Sequence, residues 1–397
     1  MDAFGQSSSS SLRGWSAALA AFGCAAGAGC VIDELQPITS TSLRVELLSP
    51  DTGSPEERLS AEARAAVVRI QAIDARGEID TSFEGTVDLY AHYLGSLTPS
   101  LREFPLASSE LVDGDSGEVN VQLPKVYGST FVWAEHVSGD APTFATGTSD
   151  TLWYREPYIV DVRTPEDEER LDALESSPLD KKQVTIDRSR HGDSGRLVVS
   201  SVFAQGYTVQ DVACEGAGAE PPCTSGAYDS VFVFTFSRPT DNRRRVLREG
   251  DVISLISGGI TLFNGLVQFT FPLTIVADEP RDPARIAPPF IFEPSWLTTL
   301  TELKRVESAL LSVQDAVICP LDDEYEIYTQ WKLDVGRGCG DPINVISEGR
   351  VEGFDPADYV GERIPEVVGV LRPVNIGTFH VWIIYPRFTA DVTLPAT

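Results

Sequence analysis

Basic residues are scarce in this chain: 31 Lys and Arg stand against 59 Asp and Glu, giving a formal charge of −28 and a pI near 4.4. A polyanion binds by exchanging condensed counterions for Lys and Arg, so this balance argues against nucleic acid as a partner. Its main consequence is a well-solvated acidic surface. Long apolar heptads are also missing, which excludes coiled coils and helical bundles. Nothing after residue 29 is apolar for long enough to span a bilayer. No Cys-x-x-Cys pair, His-Glu-x-x-His helix, phosphate-binding glycine loop or acid/base carboxylate pair occurs, so no cofactor is expected and no catalytic constellation is legible.

What is present reads as β structure. With 397 residues, 42% hydrophobic, the chain can bury large cores and is long for one domain. Glycine and proline punctuate short runs of Val, Ile, Thr, Phe and Tyr, so the expected class is all-β with few short helices. Residues 250–272, GDVISLISGGITLFNGLVQFTFP, are echoed by residues 361–386, GERIPEVVGVLRPVNIGTFHVWIIYP. Each opens on Gly-Asp or Gly-Glu, turns at a glycine (Gly265, Gly377) and returns as an alternating strand ending at proline. In the first copy Val267, Phe269 and Phe271 are expected on one face, with Gln268 and Thr270 on the other. Asn264-Gly265 is a strong hairpin signal because both positions tolerate positive φ.

Residues 1–29 combine a Ser-rich start, Arg13 and an apolar run over residues 15–29, the pattern of a signal peptide. Gly27-Ala28-Gly29 directly before Cys30 resembles the lipobox of bacterial lipoproteins, in which the cysteine becomes the lipid-bearing first mature residue. Cys24, after Ala21-Phe22-Gly23, is the alternative. Six cysteines less Cys24 and Cys30 leave an even set, expected as the disulfides Cys214–Cys223 and Cys319–Cys339, with zinc as the alternative.

A tether over residues 30–42 leads to a predicted β-sandwich over 43–153. Its inward residues are expected to be Leu43, Val45, Leu47, Val68, Ile70, Ala72, Val87, Leu89, Ala91, Val119, Val121, Leu123, Phe131 and Trp133. The stretch AIDARGEIDTSFEGTVDLY, residues 72–90, resembles the core of bacterial immunoglobulin-like domains, which implies a spacer or adhesive module. Residues 154–183 read as a connector with a short helix opening at Thr164-Pro165 and closing at Ser177-Pro178.

A first barrel is expected over 184–277, where residues 231–236 are apolar on both faces. Gly206, Val209, Gln210, Asp211, Gly250, Asp251, Val252, Gly265, Leu266 and Gln268 resemble the pattern of the OB-fold modules attached to secreted bacterial nucleases. That resemblance implies the fold and no catalysis. A Pro-rich linker or strap over 278–299 precedes a second barrel over 300–397, in which residues 306–318 again resemble the opening of that module. The two barrels are therefore expected to be internal repeats.

Four groups of residues could carry chemistry. Gly192-Asp193-Ser194-Gly195 looks like the nucleophile turn of chymotrypsin-like proteases, but His92 and His136 fall in another predicted domain. Asp113, Asp115 and Glu118 space carboxylates as a weak calcium candidate, in a stretch that is equally a turn. Arg243, Arg244, Arg245 and Arg248 form the dense basic patch; with Tyr207, Phe232, Phe234 and Phe236 on nearby strands they are a possible ligand contact. His380 and Trp382 share the face of the last hairpin that looks outward or lies under the strap.

The resulting expectation is an exported lipoprotein, anchored to the envelope through an N-terminal lipid on Cys30, in the outer membrane. It would bind or scaffold an envelope protein without catalysis. Oligonucleotide or saccharide binding by the barrels is the alternative, and a secreted hydrolase the next.

Overall fold

The computed structural model describes residues 40–93, 105–137, 145–165, 167, 177–214 and 223–395. The chain is all-β. Cys24, Cys30 and most of the helix expected after Pro165 lie outside the described residues.

The first body is a sandwich. Strands β1 (Ser40–Ser49), β2 (Ala65–Asp74), β3 (Gly85–Tyr93), β4 (Ala107–Leu111), β5 (Asp115–Gln122), β6 (Ser129–Val137), β7 (Thr146–Thr148) and β8 (Leu152–Trp153) divide between two sheets. One has the order β1-β2-β5 and the other β4-β3-β6-β7, with β8 also on β6. Leu43, Val45, Val68, Ile70, Val87, Leu89 and Val121 fill the space between them, as their alternation requires. In β6 the phase differs from the expected one. Val132 and Ala134 face the core, while Phe131 leans on His92 and the Trp133 indole bonds Glu135. Two bulky aromatics thus stay on the outer face and two small residues meet the opposite sheet.

A short helix, α1 (Ile159–Arg163), leads into the first barrel: β9 (Gln183–Ile186), β10 (Gly195–Phe203), β11 (Gly206–Cys214), β12 (Cys223–Thr224), β13 (Ser230–Phe234), β14 (Val252–Phe263) and β15 (Leu266–Val276). Pairing runs β10-β11-β13-β15-β14 and closes through β14 on β10, with β13 and β15 parallel. This is the five-stranded Greek-key order of an OB barrel. After a strap carrying β16 (Phe290–Ile291) and helix α2 (Leu300–Arg305), the second barrel repeats it. Its strands β17 (Leu310–Ile318), β18 (Gln330–Asp334), β19 (Ile343–Ile346), β20 (Arg363–Ile376) and β21 (Phe379–Tyr385) close through β20 on β17, with β19 and β21 parallel. Helix α3 (Asp323–Tyr328) precedes β18, and β22 (Val392–Thr393) adds to β20.

The two echoed hairpins are therefore β14–β15 and β20–β21, the same pair of strands in each barrel. Each fourth strand carries a glycine where the chain must curl. A Cβ on Gly258 would lie 2.8 Å from the Thr270 carbonyl oxygen, and one on Gly369 2.7 Å from the Pro386 nitrogen. Three details differ from the pattern expected. Val267 and Phe269 point inward, but Phe271 sits at a bulge with φ 49° and is 76% exposed, so alternation breaks there. Pairing then resumes, and β15 runs past Pro272 to Val276. The Val-Gln-Asp of residues 313–315 lies on the first strand of its barrel, whereas Val209-Gln210-Asp211 lies on the second, so these two stretches are not equivalent in the repeat. Finally, Trp382 lies in the core of the second barrel while His380 is exposed; they do not form an outward pair.

The barrels are joined by a dry ionic knot. The Glu307 carboxylate, wholly buried, meets Arg163 Nη1 at 2.6 Å and Lys304 Nζ at 2.7 Å, and accepts the Val267 N–H at 3.1 Å. Arg163 also donates to the carbonyls of Ser230 and Lys304, and Lys304 to that of Gly265. One carboxylate thereby ties α1, the first barrel and α2 together. Such a knot contributes little net stability but penalises any other arrangement of its parts.

Candidate functional site

Beside that knot the barrels meet along an apolar seam of Phe203, Phe232, Leu266, Leu310 and Val370. One end of the seam opens into a cleft of about 320 Å³. From the first barrel come Phe203, the β10–β11 turn (Ala204, Gln205), Phe232 and Phe234; from the second come Glu348, Arg350, Arg372 and Tyr385. In OB barrels the face of the second and third strands and the loop joining the first two are the usual ligand surface. Here that surface is roofed by the neighbouring barrel.

The cleft holds two guanidinium groups that meet no carboxylate within ion-pair distance among the described residues. Arg372 lies 4.3 Å over the Phe232 ring and 5.0 Å over Tyr385, and its Nε is buried with no hydrogen-bond partner. Arg350 lies 4.2 Å over Phe203, and its side chain donates to the Val202 carbonyl at 3.4 Å. Burial lowers the pKa of both, and Arg372 lowers that of Arg350 further by charge repulsion. The aromatic faces and the more distant carboxylates of Glu249 and Glu307 stabilise the cations in part, and Glu348 also lines the cleft; an anion between the two guanidinium groups would bond them directly. From the mouth of the cleft a strip of rings continues outward: Phe234 meets Phe236 at 5.1 Å, and Phe236 meets Phe271 at 5.2 Å.

Arginine in the middle of an apolar strand, Val370-Leu371-Arg372-Pro373, is the signal that sequence reasoning passed over. The basic patch singled out instead is a solvated turn. Arg243, Arg244, Arg245 and Arg248 are all exposed, and Asp241 organises the turn by accepting the N–H of Arg243 and Arg245 and pairing with the Arg245 side chain. Tyr207 is buried in the barrel core, bonded to Thr274, and is no stacking platform.

The other expected sites separate as follows. Cys214–Cys223 and Cys319–Cys339 are disulfides, with Cα atoms 4.2 and 5.7 Å apart. Asp115 is held by Arg69 and Gln71, and hydrogen bonding to Arg69 brings its pKa down to about 2. Asp113 occupies a turn at φ 52° and Glu118 is exposed, so the three carboxylates do not converge as a calcium loop. Ser194 sits in an exposed turn and donates to the His191 carbonyl at 3.0 Å; no histidine ring nitrogen of the described residues bonds it. His92 and His136 lie on β3 and β6 of the sandwich.

The chain matches no protein-family model, and no curated protein sequence is significantly similar to it. Function has to be read from the chemistry of these residues.

Proposed function

We propose that this protein is an exported lipoprotein, anchored at Cys30, that captures an acidic saccharide in the cleft between its barrels and leaves it chemically unchanged. The observation that carries the reading is the pair Arg350 and Arg372, two charged groups in an aromatic cleft with no carboxylate within ion-pair distance among the described residues. A carboxylate placed between them has an oxygen to offer each and halves their combined charge, and the rings from Phe234 to Phe271 offer apolar surface to a sugar at the mouth of the cleft. An oligonucleotide uses similar elements, but the charge of −28 opposes a dense polyanion more than it opposes a short, sparsely charged saccharide. Export is supported by the apolar run before Cys30 and by two disulfides, which persist in oxidising compartments.

Two measurements test this. Calorimetry with a galacturonate trisaccharide, its neutral galactose counterpart and a dT hexamer should give one site for the first and weak or no binding for the others. Binding should fall at least tenfold in Arg372→Gln, a loss of about 1.4 kcal/mol. Preference for the neutral sugar removes the proposal, and salt-sensitive binding of the hexamer alone replaces it with the nucleic-acid reading. Mass spectrometry of the mature N-terminus should find a diacylglyceryl group on Cys30; an unmodified or differently cleaved terminus ends the anchoring claim.

A further inference from the structure

At the Cys214 end of β11, three potential metal ligands from separate segments converge. His191 comes from the loop between β9 and β10, Asp211 from β11, and Asp229 from the turn before β13; one donor atom of each lies within 4.8 Å of the others. They are not a surface cluster, since both aspartates are fully buried. Nor are their donors all satisfied. Asp229 Oδ1 is buried with no hydrogen-bond partner, and so is His191 Nε2, which lies 3.8 Å from Asp229 Oδ2.

We propose that His191, Asp211 and Asp229 form a binding site for a divalent transition metal, Zn²⁺ foremost. The 3.8 Å between His191 Nε2 and Asp229 Oδ2 is less than twice a zinc–nitrogen or zinc–oxygen bond of about 2.0–2.2 Å, so one ion can hold both atoms. An imidazole with two carboxylates suits zinc. Calcium would require 6–8 oxygens. Three protein ligands leave a fourth position for water.

The surroundings fit a bound cation. Ser189 and the Arg190 N–H already donate to Asp211, and Gly226 N and Arg190 Nη2 to Asp229 Oδ2. These partners orient the carboxylates as outer-shell groups orient ligands, yet they leave the two buried atoms unmatched. The ion would cross-link the 187–195 segment to β11 and β13 beside the Cys214–Cys223 disulfide. This site is independent of the arginine cleft.

The competing account is that Arg190 is the resident cation and completes the site alone. Untagged mature chain, stripped with chelator and dialysed, is titrated with ZnCl₂ by calorimetry and with Co²⁺ by visible absorption. One equivalent should bind, raise Tm, and give an intense tetrahedral Co²⁺ spectrum. His191→Gln changes a partly exposed side chain and should fold, as judged by circular dichroism; it should weaken zinc at least tenfold, as should Asp211→Asn. His380→Gln, in the second barrel, should leave binding unchanged. Arg190→Gln should lower Tm and regain it on adding zinc. Absence of stoichiometric binding to the wild type, wild-type zinc affinity in His191→Gln and Asp211→Asn, or an Arg190→Gln chain that zinc does not rescue overturns the site.

Discussion

Replacing Glu307 by glutamine would leave Arg163 and Lys304 facing each other in a space that excludes water, both side chains being at most 1% exposed. The main-chain carbonyls of Ser230, Gly265, Lys304 and residue 307, with the neutral amide oxygen of the new glutamine, would remain as acceptors, and none carries a charge to balance the two cations. The least costly escape is for Lys304, whose pKa burial already lowers, to give up its proton. Deprotonating an ordinary lysine of pKa about 10.4 at pH 7 costs about 4–5 kcal/mol, which matches the roughly 3–5 kcal/mol seen when a buried pair loses one partner. The sign with pH follows. The unfolded variant carries a proton on Lys304 that the folded variant lacks, so stability rises with pH, by about 1.4 kcal/mol per unit between pH 7 and 9. Lys304→Met leaves the Arg163–Glu307 pair intact and should cost less than about 1.5 kcal/mol. Urea unfolding followed by tryptophan fluorescence, at several pH values, measures both. A loss below about 1 kcal/mol for Glu307→Gln, or a deficit indifferent to pH, would refute the knot as the joint between the barrels.

Three further outcomes are expected. Arg350→Met should change the stability of the ligand-free protein by less than about 1 kcal/mol, because it removes one of two facing cations, yet lower affinity for the galacturonate probe at least tenfold; titration and thermal melts check the two halves. Replacing Cys319 and Cys339 by serine should cost about 3 kcal/mol, the closure entropy of a 20-residue loop, read from denaturant midpoints without reductant. Asp115 has a folded pKa of about 2, so its bond to Arg69 stabilises the sandwich above the unfolded pKa near 3.9 and is lost as pH falls toward 2. Because the pair is partly exposed, its contribution is about 1 kcal/mol, and Asp115→Asn should flatten that part of the acid-unfolding curve.

The barrels were legible because closure and curvature are written locally. Glycine turns at Gly265 and Gly377, alternation through Val267 and Phe269, and strands apolar on both faces leave few other solutions. The disulfides were legible because four cysteines remained in two short separations. What could not be read was anything made by the meeting of the barrels. Arg350 and Arg372 come from a loop and a strand of the second barrel, and Phe203 and Phe232 from the first. No spacing in the chain encodes that they share a wall. The same holds for His191, Asp211 and Asp229, which are 20 and 18 residues apart in sequence and touch only after the barrel closes. Conversely, Arg243 to Arg245 drew notice through density alone, and an Asp241-capped turn accounts for them. Phe271 misled because a bulge changes the phase of its strand, which periodicity assumes constant.

The most direct test of ligand capture between the barrels is a crystal structure of the mature chain grown with the galacturonate trisaccharide. A carboxylate bonded to both Arg350 and Arg372, with sugar rings laid along Phe234 and Phe236, is the predicted result. An unfilled arginine cleft at saturating trisaccharide, or sugar bound at the Arg243–Arg245 turn instead, would contradict it.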